Sequence, residues 1–89
     1  MGDNTALDPQ VSAQIGEFLQ EATTGPDKGG IAGDLTIGRV KIEAAASRGW
    51  GLEFSRTLPA GVTVRERLTG KDLTLDGAGA AIGKLLRAA

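Results

Sequence analysis

The sequence contains no cysteine, no histidine and no tyrosine, and only one tryptophan and two phenylalanines. Each absence closes a route. Without cysteine, neither a disulfide framework nor a thiolate metal site can hold the fold together. Without histidine, the chain lacks the commonest general base and the commonest transition-metal ligand. An enzyme built from this set would have to work with Asp, Glu, Lys, Ser or Thr. The composition therefore points to a non-enzymatic binding module that uses no cofactor and no metal, and no small-molecule substrate is evident. No stretch approaches the ~18 consecutive apolar residues that span a bilayer. The opening residues lack the basic-then-apolar order of a secretory signal, and Met1-Gly2 is not followed by the Ser or Thr of a myristoylation site. A cytoplasmic location is the expectation.

What is present is 89 residues with a formal net charge of −1. A chain of this length makes one domain with a marginal core, for which pairing with another copy is a natural supplement. The charge is unevenly spread. Residues 1–34 carry Asp3, Asp8, Glu17, Glu21, Asp27 and Asp34 against Lys28 alone, six negative and one positive, or −5. Residues 35–89 carry nine Lys or Arg against five Asp or Glu, or +4. Either a basic sheet meets an anionic partner, or an acidic helix offsets a basic sheet within one chain or across a dimer.

The pattern of apolar residues predicts an α+β domain in the order α-β-β-β-β-α, with both helices on one face of a four-stranded antiparallel meander. A disordered tail over 1–7 precedes a helix over 8–23, opened by Asp8-Pro9 as cap and first residue. Val11, Ile15, Phe18, Leu19 and Ala22 form its single stripe. A Gly-rich loop over 24–34 follows. Its Gly-Pro-Asp-Lys-Gly-Gly run, residues 25–30, is not a phosphate loop, because Ile31 stands where a Lys-Ser/Thr pair is required and the loop leaves a helix rather than entering one.

The meander is expected over 35–75, centred on Trp50, Leu52 and Phe54 at alternate positions. Leu35 and Ile37 alternate on odd numbers, whereas Val40, Ile42, Ala44 and Ala46 alternate on even ones. A bulge at Gly38 in one long strand explains that phase change, and a tight Gly38-Arg39 hairpin turn competes with it. Two three-residue connections, 47–49 and 59–61, each end on Gly, as a type I turn with a G1 bulge requires. They pair Ala46 with Trp50 and Leu58 with Val62. A last hairpin through Thr69-Gly70-Lys71-Asp72 pairs Leu68 with Leu73. These registers agree on one inner face: Val40, Ile42, Ala44, Trp50, Leu52, Phe54, Leu58, Val62, Val64, Leu68, Leu73 and Leu75. A closing helix over 77–88, capped by Asp76, carries Ile82, Leu85, Leu86 and Ala89 on its stripe.

Three groups of residues are candidates for function. Arg56 and Glu66 interrupt the inner face and stand as diagonal neighbours, an ion pair at the rim of the core or a polar hole for a partner. Arg39, Lys41, Arg65 and Arg67 lie on the outer face against Glu43, Glu53 and Asp72, a surface able to contact phosphates. With Trp50 and Phe54 assigned to the inner face, and Glu53 assigned to Arg67, that surface has no aromatic platform for bases. Phe18 and Leu19 on the first helix are the candidate seam of a homodimer, with the sheet edges as the other possible contact. The reading is a small protein-interaction module, an adaptor, targeting domain or inhibitor whose first partner is another copy of itself. The alternative is nucleic-acid binding by the basic outer face.

Overall fold

The first helix is built by its stripe. In the computed structural model, which describes residues 9–88, α1 runs from Pro9 to Thr24 and buries Val11, Ile15, Phe18 and Ala22, with Leu19 half-buried beside them. The expected tail over 1–7 and the Asp8 cap lie outside the described residues. The helix ends where Thr23 and Thr24 turn their hydroxyls back onto the carbonyls of Leu19 and Gln20, both at 2.9 Å. Gly25 then donates its N–H to Glu21 O at 3.1 Å. A Cβ at Gly25 would stand 2.5 Å from that same carbonyl, so no other residue fits there.

Four strands follow: β1 (Ile31–Ile37), β2 (Val40–Ser47), β3 (Gly51–Thr57) and β4 (Thr63–Leu68), antiparallel and in sequence order across one open sheet. The α+β class and the expected element order hold, but two strands are not the expected ones. The loop after α1 is shorter than 24–34, because Ile31 already begins β1. The expected long strand from 35 to 46 is two strands, and the tight turn at Gly38-Arg39 replaces the bulge. Gly38 takes a φ of +63°, and Leu35 faces Ile42 while Ile37 faces Val40. A two-residue connection pairs odd residues with even ones. That is why odd apolar positions in β1 and even ones in β2 share a face.

At the other end, residues 73–75 form no strand, and the expected hairpin from Leu68 to Leu73 is not made. Gly70–Asp72 is a single 3₁₀ turn. Thr74, rather than Asp76, caps the closing helix α2 (Leu75–Arg87), its hydroxyl accepting from Gly77 N at 3.0 Å. Asp76 sits in the first turn and Lys84 and Arg87 in the last, each at the end the helix dipole favours.

Both helices pack on the same face of the sheet. Leu35, Ile42, Ala44, Ala46, Leu52, Phe54 and Leu68 meet Val11, Ile15, Phe18, Ala22, Ala78, Ala81, Ile82 and Leu85 in one core. Ile15, Leu35, Ile42, Leu52, Phe54 and Ile82 are completely buried. Each such side chain contributes about 1.5–3 kcal/mol relative to exposure. The β3–β4 register is the expected one, with Arg56 opposite Val64 and Phe54 opposite Glu66. Leu58 N donates to Val62 O and Gly61 N to Leu58 O, both at 2.8 Å, closing the three-residue turn with Gly61 at a φ of +95°.

The β2–β3 register differs by two residues. Ala46 faces Leu52 rather than Trp50, and Ala44 faces Phe54 rather than Leu52. A slip of two keeps every strand residue on its face, so the core survives. Trp50, however, leaves the strand. It closes a turn by donating its N–H to Ser47 O at 3.2 Å, with Gly49 at a φ of +88°. Val62 and Leu75, also expected inside, are 57% and 45% exposed.

Gly51 permits this exit. Its φ is +110°, and a Cβ there would lie 2.3 Å from Leu68 O. Gly51→Ala is therefore expected to cost about 2 kcal/mol or more in urea unfolding, since strain and a backbone clash combine. Gly16, inside α1 with open space around it, gives the control. Gly16→Ala should stabilise by about 0.5–1 kcal/mol in the same measurement.

Candidate interaction surface

Because both helices occupy one face, the other face of the sheet is bare among the described residues, and the register fixes which side chains stand on it. Two rows cross all four strands. One runs Ala32, Ala45, Glu53, Arg67 and the other Asp34, Glu43, Ser55, Arg65, each residue directly opposite the next. Small residues fall toward β1 and β2 in the first row, and the two arginines fall together on β4. The middle of this face is an open depression of about 520 Å³ lined by Ala32, Asp34, Glu43, Ala45, Glu53, Ser55 and Arg65, among others.

The charges on this face are partly matched. Lys41 Nζ stands 3.7 Å from Asp34, and Arg65 Nε stands 3.9 Å from Glu53. Glu53 thus pairs with Arg65 across a diagonal, rather than with Arg67 directly opposite. Exposed pairs of this length contribute at most about 1 kcal/mol. Glu43, which lines the depression, and Arg39, in the hairpin turn, form no ion pair among the described residues. Arg67 instead stacks its guanidinium over the Trp50 ring, 4.5 Å from the centroid, and donates to Trp50 O at 3.2 Å. The expectation of an outer face without an aromatic group is therefore corrected. The positive φ of Gly51 carries Trp50 out of the inner row and places it with Arg67.

Arg56 and Glu66 do not pair. Arg56 reaches under the sheet to the end of α2, where Nη1 donates to the carbonyls of Leu85 at 2.7 Å, Ala88 at 3.1 Å and Leu86 at 3.3 Å. These carbonyls lie at the end of α2, where Leu85 O also accepts from Ala88 N at 3.2 Å, and a cation there opposes the negative end of the helix dipole. Glu66 faces Lys84 at 4.0 Å. Among the described residues the two form no ion pair with each other. Arg56 is a helix cap, which spacing along the strands could not reveal because its partners lie about thirty residues away on another element.

Phe18 is 7% exposed and packs beneath β1, where a Cβ on Gly33 would meet its ring at 3.4 Å. It belongs to the core of its own chain, with Leu19 half-buried beside it. The open edges are β1 and β4, not the expected 35–46 and 73–75 segments. Sequence reasoning missed Asp34 and Ala32 because the glycines around them read as loop. It missed the rows of small residues because alanine carries little strand signal.

Two outcomes follow. Arg56→Met is expected to cost about 1.5–3 kcal/mol and to speed hydrogen exchange in the last turn of α2. Glu66→Gln should change stability by less than about 0.5 kcal/mol, and a double-mutant cycle should find no coupling between the two. Arg67→Met, which removes the cation from the only tryptophan, should shift Trp50 emission to the red and raise its quenching by acrylamide, at a cost of about 0.5–1 kcal/mol.

Among the described residues no helix is long and apolar enough to cross a membrane, and no three or more acidic, histidine or cysteine side chains gather as a metal site. No family model matches the chain, and no curated protein or solved structure matches it either.

Proposed function

We propose that this chain is a small, non-enzymatic protein-interaction module that acts as a homodimer, in the manner of an adaptor, a targeting domain or a small inhibitor. One observation carries this reading: a whole sheet face is left bare by the helices, and it holds an open depression floored by small side chains and rimmed by charge. A bare face of that kind offers another macromolecule an area with charges to match. The polar groups that interrupt the core support the non-enzymatic part. Arg56 is committed to helix carbonyls and Glu66 to a surface lysine, and proton-transfer chemistry needs groups free to face a substrate.

A second reading, nucleic-acid binding, is favoured by the Trp50–Arg67 stack beside Arg65, since an aromatic ring with arginines is what single-strand readers present. Against it stand the acidic residues Asp34, Glu43 and Glu53 on the same face, which repel phosphates.

The solution mass decides. Light scattering on the purified chain, freed of nucleic acid and held at low salt, is expected to give the mass of two copies. A monomer at every concentration overturns the reading. A monomer that purifies with nucleic acid and releases it in high salt moves the function to the second.

A further inference from the structure

On the reading that the chain is a homodimer, we infer that the second copy docks face to face on the bare side of the sheet, about a two-fold axis parallel to the strands. The face is complementary to itself in that orientation and in no other simple one. A two-fold parallel to the strands lays β1 of one copy over β4 of its partner, and β2 over β3. The second row, Asp34, Glu43, Ser55, Arg65, then meets its own reverse. Asp34 faces the arginine at position 65 of the other copy, and the Glu43 carboxylate, which has no ion pair among the described residues, faces the hydroxyl at position 55. The first row meets its reverse as well. Ala32 lies under the arginine at 67, and Ala45 under the glutamate at 53. Small stands against large along that row, and opposite charge at both ends of the other. A two-fold perpendicular to the strands would instead set β1 on β1 and β4 on β4: centred between the two rows it lays Arg65 on Arg67, and centred on the second row it sets Asp34, Glu43 and Arg65 each on its own copy.

The alternative occupants fit less well. Phe18 is core and Leu19 is half-buried against it, so α1 offers little apolar surface for a seam. Pairing two β1 edges about the middle of the strand sets Asp34 against itself, and like charges directly opposite are unfavourable. The contact area also fits a modest dimer. Four strands ~4.8 Å apart and seven residues of ~3.3 Å make a face of roughly 19 by 23 Å, smaller than the ~800 Å² per partner of a standard interface. Pairing is then reversible and weakened by salt.

Two charge reversals test the geometry. Asp34 and Arg65 are 55% and 63% exposed at their side chains, so both tolerate change. Asp34→Arg sets arginine against arginine twice in a homodimer, and Arg65→Glu sets acid against acid twice. Each variant alone is expected to dimerise roughly tenfold or more weakly than the parent by sedimentation equilibrium. An equimolar mixture of the two restores both attractive contacts, and native mass spectrometry should find the mixed dimer. Ala32→Phe fills the small side of the first row, touches no ion pair, and should weaken pairing too, which keeps the test open if a reversal unfolds the chain. A parent dimer that neither reversal nor Ala32→Phe weakens overturns this docking mode and leaves the homodimer reading standing. Weakened single variants whose mixture stays monomeric also overturn it. A parent that is never a dimer overturns both.

Discussion

Strict alternation along the strands is the constraint on which this molecule depends. The helices cover one face of the sheet, so every strand must deliver its apolar residues to that face through three chain reversals. β1 does so with odd-numbered residues and β2, β3 and β4 with even-numbered ones. The change of parity is made once, at the two-residue turn of Gly38-Arg39. The two three-residue turns preserve it. A single misplaced residue in any strand would put a charge under a helix, where an unpaired charge costs several kcal/mol. Within this rule the polar residues on the covered face find partners at the rim, and Arg56 ties β3 to the end of α2.

Much of this was readable from residues. The alternation of Val40 through Ala46 and of Leu52 with Phe54 places the inner face, and the Pro-Ala-Gly turn at 59–61 sets the β3–β4 register as observed. The two-residue slip between β2 and β3 was not readable. Gly49 and Gly51 both adopt positive φ, and the sequence around Trp50 fits either register while keeping the same core. In the observed register Gly51 lies so close to β4 that a Cβ would meet Leu68 O, an approach between strands that no local pattern encodes. Likewise β1 is hidden by Gly29 and Gly30 before it and by Gly33 within it, residues with poor strand propensity, of which Gly33 is tolerated because Ala44 of β2 pairs with it. At the far end Leu73 and Leu75 alternate like a strand, yet Thr74 between them is a good helix cap, and capping prevails.

The bare face was legible in outline only. Arg65 and Arg67 belong to it as alternation requires, whereas the acidic side, with Asp34 at its edge, depends on β1 being a strand. Trp50 shows the same dependence in reverse, since one glycine moves it from the expected core to the opposite surface. A face that reads as basic from the sequence is in fact mixed, with acids on β1 to β3 and arginines on β4.

The separation of charge along the chain becomes a separation across the fold. Acidic α1 lies over β1 and β2, and α2, with Lys84 and Arg87, lies over β3 and β4. Each copy therefore carries an electric dipole in the plane of its sheet. Side by side, such dipoles attract when β4 of one copy meets β1 of the next, an open-ended order that favours filaments. Two copies laid face to face with β1 over β4 cancel the dipole and withdraw from that growth. The same asymmetry thus separates a closed assembly from an unlimited one.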